Sequence, residues 1–450
     1  MRASPRGLEA GMGWERWNHW TLTELPRLNR AVLSGEFALD VLTARLRRAV
    51  LDELPPPRSF APADARRMVV LLGLAGASVA RHYQEADISR KARPTESFEH
   101  LQVGREATGF LDYFAELAAV TKTGHPPRDC YASLVRWNSP ETRVEFDGAT
   151  LATLPGSFPD LQIRTYTNDP GEVAFFELLK KSEAFELAVN EALEPIVGGQ
   201  IDILSPEAAR RGRAAVHLMN ALIRVNQDFA AKTPECGGLR TGHFLDVFRQ
   251  FAVHWRSGDL PPTGAQDPEF VRRDLLLGID FPDYPRQVRR ISAALLHDER
   301  SMLELCLGRR PLPALLFNAI GLSAADLGVP ADRLRGVVSE HRQLAVWYPL
   351  LAANAKFGAV HLMLTEKYLF KPQRDRDRSG IGDRELVSNR RGTTGMDEPL
   401  LVQLARARQN HPLRALSRLP GRDLAILAGA EPDQAERADP PVARFVATAG

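Results

Sequence analysis

Among the eleven histidines of the chain, His361 has the neighbours a ligand site would need. It lies in Phe357-Gly358-Ala359-Val360-His361-Leu362-Met363-Leu364-Thr365-Glu366-Lys367-Tyr368. Helical spacing puts Leu350, Asn354, Phe357, Gly358, Leu364 and Tyr368 on its side. An imidazole among apolar side chains needs a partner for its lone pair. A metal ion is one such partner, and Gly358, one turn earlier, would let a flat macrocycle lie against the helix. A core histidine bonded to a carbonyl is the other reading, and on pattern alone it is the commoner one. His19, His82, His100 and His297 have charged or polar neighbours and are expected at the surface.

Two further segments bear on that choice. In Phe244-Leu245-Asp246-Val247-Phe248-Arg249-Gln250-Phe251 the three phenylalanines share one face, with Arg249 at its edge. An arginine there either snorkels to water or holds a carboxylate by a two-bonded fork in an apolar pocket. Farther on, Arg391-Gly392-Thr393-Thr394-Gly395-Met396 is small and hydroxyl-bearing and leads into a helix. It could close over a ligand with backbone donors and hydroxyls, or be an ordinary N-cap at Thr394 or Asp397. Common signatures are missing: no Walker loop, no GxSxG elbow and no HExxH helix. Gly73 and Gly76 sit inside an apolar helix and make no dinucleotide fingerprint. Acid–base chemistry on histidine and carboxylates leaves little trace and stays open.

These residues must be positioned by helices. Apolar residues recur at three and four positions, predicting helices near 64–84, 98–121, 171–193, 205–231, 242–256, 285–307, 331–348 and 349–370. The best strand candidate is a short edge at 161–167. The stretches Pro55–Pro57, His125–Pro127, Pro155–Pro159 and Pro261–Pro262 read as loops, and Pro372 is expected to stop the helix that carries His361. Residues 371–391 read as a long charged surface loop, and the chain beyond about His411 as a loosely ordered tail.

Composition narrows the class. The 450 residues are 44% hydrophobic, enough for a sizeable core in one large domain or two. A formal charge of +2, from 58 basic and 56 acidic residues, gives no footprint for nucleic acid or an anionic membrane. Cys130, Cys236 and Cys306 are far apart, so neither a disulfide framework nor a zinc knuckle is expected, and a cytoplasmic setting suits them. Arg2 and Arg6 are followed by Trp14, Trp17 and Trp20, not by the apolar run of a signal peptide. No stretch has the roughly 20 apolar residues of a membrane span.

Taken together the segments resemble the indoleamine and tryptophan 2,3-dioxygenase superfamily of heme enzymes, the indoleamine branch most of all. His361 through Leu369 looks like the family's proximal-histidine helix, with its aliphatic run and Lys-Tyr pair before a proline-bearing charged loop. Gly392-Thr393-Thr394-Gly395 stands where that loop ends in a substrate-covering turn. Phe244 to Arg249 followed by Trp255 matches the helix whose phenylalanine and arginine hold the substrate ring and carboxylate. Thr263-Gly264-Ala265-Gln266 is similar to the small-residue loop beside the heme, and Asp274 to the aspartate that orients the proximal ring. Tyr131, Phe175 and Phe176 correspond to the aromatic wall of the distal pocket. The resemblance spans about residues 125–411 in one order and spacing.

It implies an all-α fold: a smaller N-terminal helical domain over 1–160 covering the distal side, a large heme domain over 161–412, and a tail over 413–450. It implies heme b on His361 and a substrate site of Tyr131, Phe175, Phe176, Phe244, Arg249, Gly264, Ala265, Thr393 and Thr394. The expected activity is insertion of O2 into the indole ring of tryptophan or a related indoleamine, with an electron donor keeping the iron reduced. Departures lie at Leu179, where relatives often carry a distal serine, at Gly358, which replaces a propionate-pairing arginine, and at Thr394. The chain also shares a Pro-Pro-Arg segment (126–128) and the pair Trp137-Asn138 with the heme enzyme that rearranges a chlorinated tryptophan in the pyrrolnitrin pathway. A biosynthetic enzyme acting on a modified tryptophan or other aromatic amine is the alternative, and a non-catalytic heme sensor the third.

Overall fold

A computed structural model describes residues 6–379, 398–429 and 444–448. Among them the chain is mostly helical, with a few short strands. The N-terminal part holds α1 (Arg6–Leu33), α2 (Leu39–Ala49), α3 (Pro62–Ala86) and α4 (Phe110–Thr121). The central pair is α5 (Pro170–Val197) and α6 (Pro206–Ala231), followed by the short α7 (Thr241–Asp246) and α8 (Pro268–Leu276). Next come α9 (Tyr284–Ser292), α10 (His297–Leu307), α11 (Leu312–Ile320), α12 (Ala331–Glu340) and the long α13 (Gln343–Thr365). The last described helices are α14 (Lys371–Ser379), α15 (Glu398–Gln409) and α16 (Gly421–Leu427).

Helix starts follow capping chemistry. Asp169 accepts from Gly171 N at 2.8 Å ahead of α5, and Ser205 from Ala208 N at 3.1 Å ahead of α6. Proline fills the first helical position of each, where its missing N–H costs nothing. Among the described residues two large apolar cores result, with a small third cluster of Leu178, Phe229, Leu239, Leu364 and Tyr368. One gathers Trp17, Trp20, Met68, Leu72, Phe114 and Trp255 around α3 and α4. The other joins α5, α6, α8, α13 and α15 through residues such as Leu193, Leu222, Trp347 and Leu350. At Gly212 a Cβ would stand 2.8 Å from Trp347 Cζ3, so only glycine lets α6 approach α13 this closely. Full burial of one such leucine is worth about 1.5–3 kcal/mol.

Several expected elements differ. The stretch 98–121 is helical only from Phe110, since β1 (Gln102–Val103) and β2 (Thr108–Gly109) pair ahead of it. The 161–167 edge is not a strand; the strands are β3 (Glu141–Phe146) and β4 (Ala149–Leu154), an antiparallel hairpin turning at Asp147-Gly148, both with positive φ. The last strand, β5 (Arg444–Thr448), pairs antiparallel with β3. The 242–256 helix breaks at Val247 into α7 and a 3-10 turn, Phe248–Phe251. The 285–307 helix is split between α9 and α10, and α1 and α2 lie where no helix was expected.

The expected boundary at 348/349 falls instead at His341–Arg342. Pro349 sits in the second turn of α13, where the buried Trp347 and Leu350 hold the helix across it. Pro372 does not stop the chain either. After α13 comes a π turn, Glu366–Phe370, and α14 restarts with Pro372 in its first turn, where a proline is tolerated. Residues 371–379 of the expected loop are thus helical, and 380–391 lie outside the described residues. Past His411 the chain keeps packing: Leu413, Leu416, Leu419 and Leu424 are buried in the second core, contrary to a loose tail. No described helix is long and apolar enough to cross a membrane.

Candidate functional site

Two cavities adjoin where α5, α13 and the 244–267 segment meet. The first, about 200 Å³, is faced by His361, Phe270, Phe357 and Tyr368, with Glu186 and Asp267 on its wall. The second, about 150 Å³, is faced by Tyr131, Phe176, Phe248 and Arg249. Phe175, Leu179, Phe244, Thr263, Gly264 and Leu369 line both and form the partition. Two π turns bracket the pair. Ala132–Arg136 brings Tyr131, Leu134 and Val135 to one cavity, and Glu366–Phe370 brings Tyr368 and Leu369 to the other. Wide turns of this kind recur at functional sites because they re-aim side chains without ending the helix.

The His361 ring lies between Phe270, at 5.6 Å between centroids, and Phe357, at 6.2 Å and nearly parallel. No side-chain hydrogen bond reaches its imidazole among the described residues. Burial lowers its pKa to about 4, the Arg408 and Arg273 charges adding to the shift and Asp274 opposing it. A neutral ring facing this largely apolar cavity keeps a lone pair for a metal, which is the donor chemistry that holding a heme iron would require. No arginine or lysine lines this cavity among the described residues.

Asp274 is fully buried near His361, but its hydrogen bonds go elsewhere. Arg408 holds it with Nη2 at 2.6 Å and Nε at 3.1 Å, and Asn354 donates at 3.4 Å. The expected role of orienting the imidazole directly is therefore not what the contacts give. Gly358 also differs from expectation. A Cβ there would stand 3.0 Å from Arg408 Cδ, so the space its missing side chain leaves is filled by that arginine, not by a macrocycle. His82 is buried as well, not at the surface, with Nε2 3.0 Å from Asn29 Oδ1.

On the other side, Phe175 packs against Phe244 and Phe248 at 5.5 Å each. Phe251 leaves that group to stack on Tyr166 at 4.1 Å. Arg249 is buried, and desolvation lowers its pKa to about 10. Tyr131, Phe175, Phe176, Phe244, Arg249, Gly264 and Ala265 thus come together around the two cavities, whereas Thr393 and Thr394 lie outside the described residues. Sequence reasoning missed Phe270, Glu186, Asp267, Arg273 and Arg408. For Glu186, Arg273 and Arg408 the one signal is charge at helix positions that the apolar period turns inward, and for Asp267 its place as N-cap before Pro268; Phe270 carries no signal of its own.

A scan against known protein-family models finds no match for this chain, and a search of the curated proteins finds none either.

Proposed function

We propose that the protein is a heme-dependent oxidoreductase in which His361 would hold the iron, acting on an indole or related aromatic amine that carries a carboxylate. The observation that carries this reading is the pairing of cavities: a neutral histidine faces one, a buried arginine the other, and a partition of aromatic and small residues joins them. When bound, heme would supply the redox chemistry with O2; the protein's share is placement and exclusion of water. Phe270 and Phe357 would fix the imidazole between them. Phe175, Phe244 and Phe248 would stack around the substrate ring, and Arg249 would fork the carboxylate. Ring opening to an N-formylkynurenine-type product is the first outcome. Leu179, an aliphatic residue in the partition where resembled enzymes often carry serine, favours a second, in which a modified tryptophan is oxidised or rearranged.

The test is the absorption spectrum of purified protein with hemin. The wild type is expected to show a Soret band of a histidine-ligated heme, and His361→Ala to lose that ligation. A band unchanged by the substitution refutes the assignment. Supplying tryptophan, reductant and oxygen then separates a kynurenine-type product from none.

A further inference from the structure

Another cavity, about 710 Å³, opens between the first half of α5, the 139–142 stretch and the 161–168 segment, with Leu22 of α1 on its wall. It shares no lining residue with the chambers of His361 and Arg249, so a ligand held there owes nothing to the heme reading. Lys180 of α5 lines it and is 2% exposed. Its Nζ donates to Arg136 O at 2.6 Å and Pro155 O at 2.7 Å, and no carboxylate pairs with it among the described residues. Glu183, which acts on it through charge, is itself paired with Arg136. Two carbonyls orient an ammonium without neutralising it, and they leave its third N–H unused. A buried charge is ordinarily matched by an opposite one. Here burial, opposed by Glu183 and Glu141 and aided by Arg136, brings the amine down to about 7.

Ser139 supplies a second donor. It lines the same cavity, is 2% exposed, and its Oγ has no hydrogen-bond partner among the described residues. A buried hydroxyl left so costs stability unless a ligand or water meets it. Both groups stand beside one short stretch of chain: Lys180 Nζ bonds Pro155 O, and a Cβ on Gly156 would lie 2.6 Å from Ser139 O. The neighbouring polar groups are already engaged. Thr142 Oγ1 donates to Pro140 O at 3.2 Å, Asn168 Nδ2 to Leu22 O at 2.9 Å, and Lys181 pairs with Glu177 at 3.2 Å. Exposed Lys232 adds a further positive charge to the lining. The apolar wall is aliphatic, from Leu22, Ile163, Val173 and Ala174, and no aromatic ring lines the cavity among the described residues. Leu161, also lining it, is 46% exposed and held at φ 56°, a conformation leucine rarely adopts and one that recurs at ligand clamps.

We infer that this cavity binds the carboxylate of a small aliphatic acid. One carboxylate oxygen accepts from the unused N–H of Lys180, the other from the Ser139 hydroxyl, and the alkyl chain lies against Leu22, Ile163, Val173 and Ala174. The carboxylate is the opposite charge that buried Lys180 lacks, and it gives Ser139 the acceptor its hydroxyl lacks. Two donors match the two oxygens of a carboxylate, whereas the three oxygens of a phosphate group would leave one unmet in a buried setting.

Calorimetric titration of the full-length protein with octanoate tests it, with 1-octanol as the probe that keeps the chain and lacks the charge. The wild type is expected to bind octanoate at one site per chain, and octanol roughly 10-fold or more weakly. Ser139→Ala is expected to weaken octanoate roughly 10-fold and to leave octanol unchanged. That substitution breaks no side-chain hydrogen bond of the described residues, so the variant is expected to fold. Lys180→Met is expected to weaken octanoate at least as much; should it fail to fold for want of its two carbonyl bonds, Ser139→Ala carries the same information. Lys232→Met, at an exposed position, is expected to change the affinity by less than about 5-fold. Absence of saturable octanoate binding, equal affinity for octanol, or an affinity untouched by Ser139→Ala overturns the site. A loss in Lys232→Met as large as that in Ser139→Ala reduces the binding to surface charge and overturns it as well.

Discussion

Replacing Arg408 by methionine tests what holds the His361 helix in place. Arg408 and Asp274 are 2% and 0% exposed and share bonds of 2.6 and 3.1 Å, joining α15 to α8 against α13. Removing one partner of a buried ion pair costs about 3–5 kcal/mol, because the other charge is left without compensation. Here the lower end, about 3 kcal/mol, is expected. Asp274 keeps Asn354 at 3.4 Å and Arg273 at 3.8 Å, and methionine places an apolar chain where the Arg408 guanidinium lies over the Phe270 ring. Urea unfolding followed by far-ultraviolet circular dichroism measures the loss. The double substitution Arg408→Met with Asp274→Leu removes both charges and is expected to cost less than either single change. A single substitution that costs under about 1 kcal/mol, or a double that costs the sum of the singles, would refute the reasoning.

Other outcomes follow from the same geometry. Arg249→Ala is expected to weaken L-tryptophan binding by the 1.5–3 kcal/mol typical of hydrogen bonds to a charged group, roughly 10- to 100-fold, while leaving tryptamine, which lacks the carboxylate, unaffected. Equal losses for both ligands in titrations of the heme-loaded protein would remove the clamp. His82 makes stability depend on pH. Burial, with the nearby Arg81 charge, lowers its folded pKa to about 3, so below its unfolded value near 6.5 only the unfolded chain takes up the proton. Its contribution is complete above that value and is lost as pH falls toward 3, by about 1.4 kcal/mol per pH unit. Between pH 7 and 5 the wild type should therefore lose about 2 kcal/mol more than His82→Gln, read from urea midpoints at the two pH values; identical losses would contradict it.

The long helices were legible because their apolar residues repeat at the helical period, as in α3, α5 and α6. The hairpin at 141–154 was also legible in principle. Asp147-Gly148 is a strong turn signal, and Thr142 and Val144 are buried in alternation with exposed Arg143 in the strand before it. What sequence could not give was the partner of each buried charge. Glu186, Arg273 and Asp274 look like a solvated face until α5 and α8 are packed together, and only then does Arg408, 134 residues beyond Asp274, take the space beside Gly358. His361 could be placed on a helix with apolar neighbours, but its freedom from a carbonyl partner depends on tertiary packing.

The partition between the cavities has a consequence for how such a site can change. Leu179 and Gly264 meet across it, and a Cβ on Gly264 would touch Leu179 Cδ2 at 3.4 Å. The bulk at these two positions sets the width of the passage between the chambers. One substitution there could merge the chambers or seal them apart, without touching the residues that face His361 on one side or Arg249 on the other. The ligand's shape is thus adjustable independently of its anchoring points, which makes this seam the place where new specificities would arise with least disturbance to the fold.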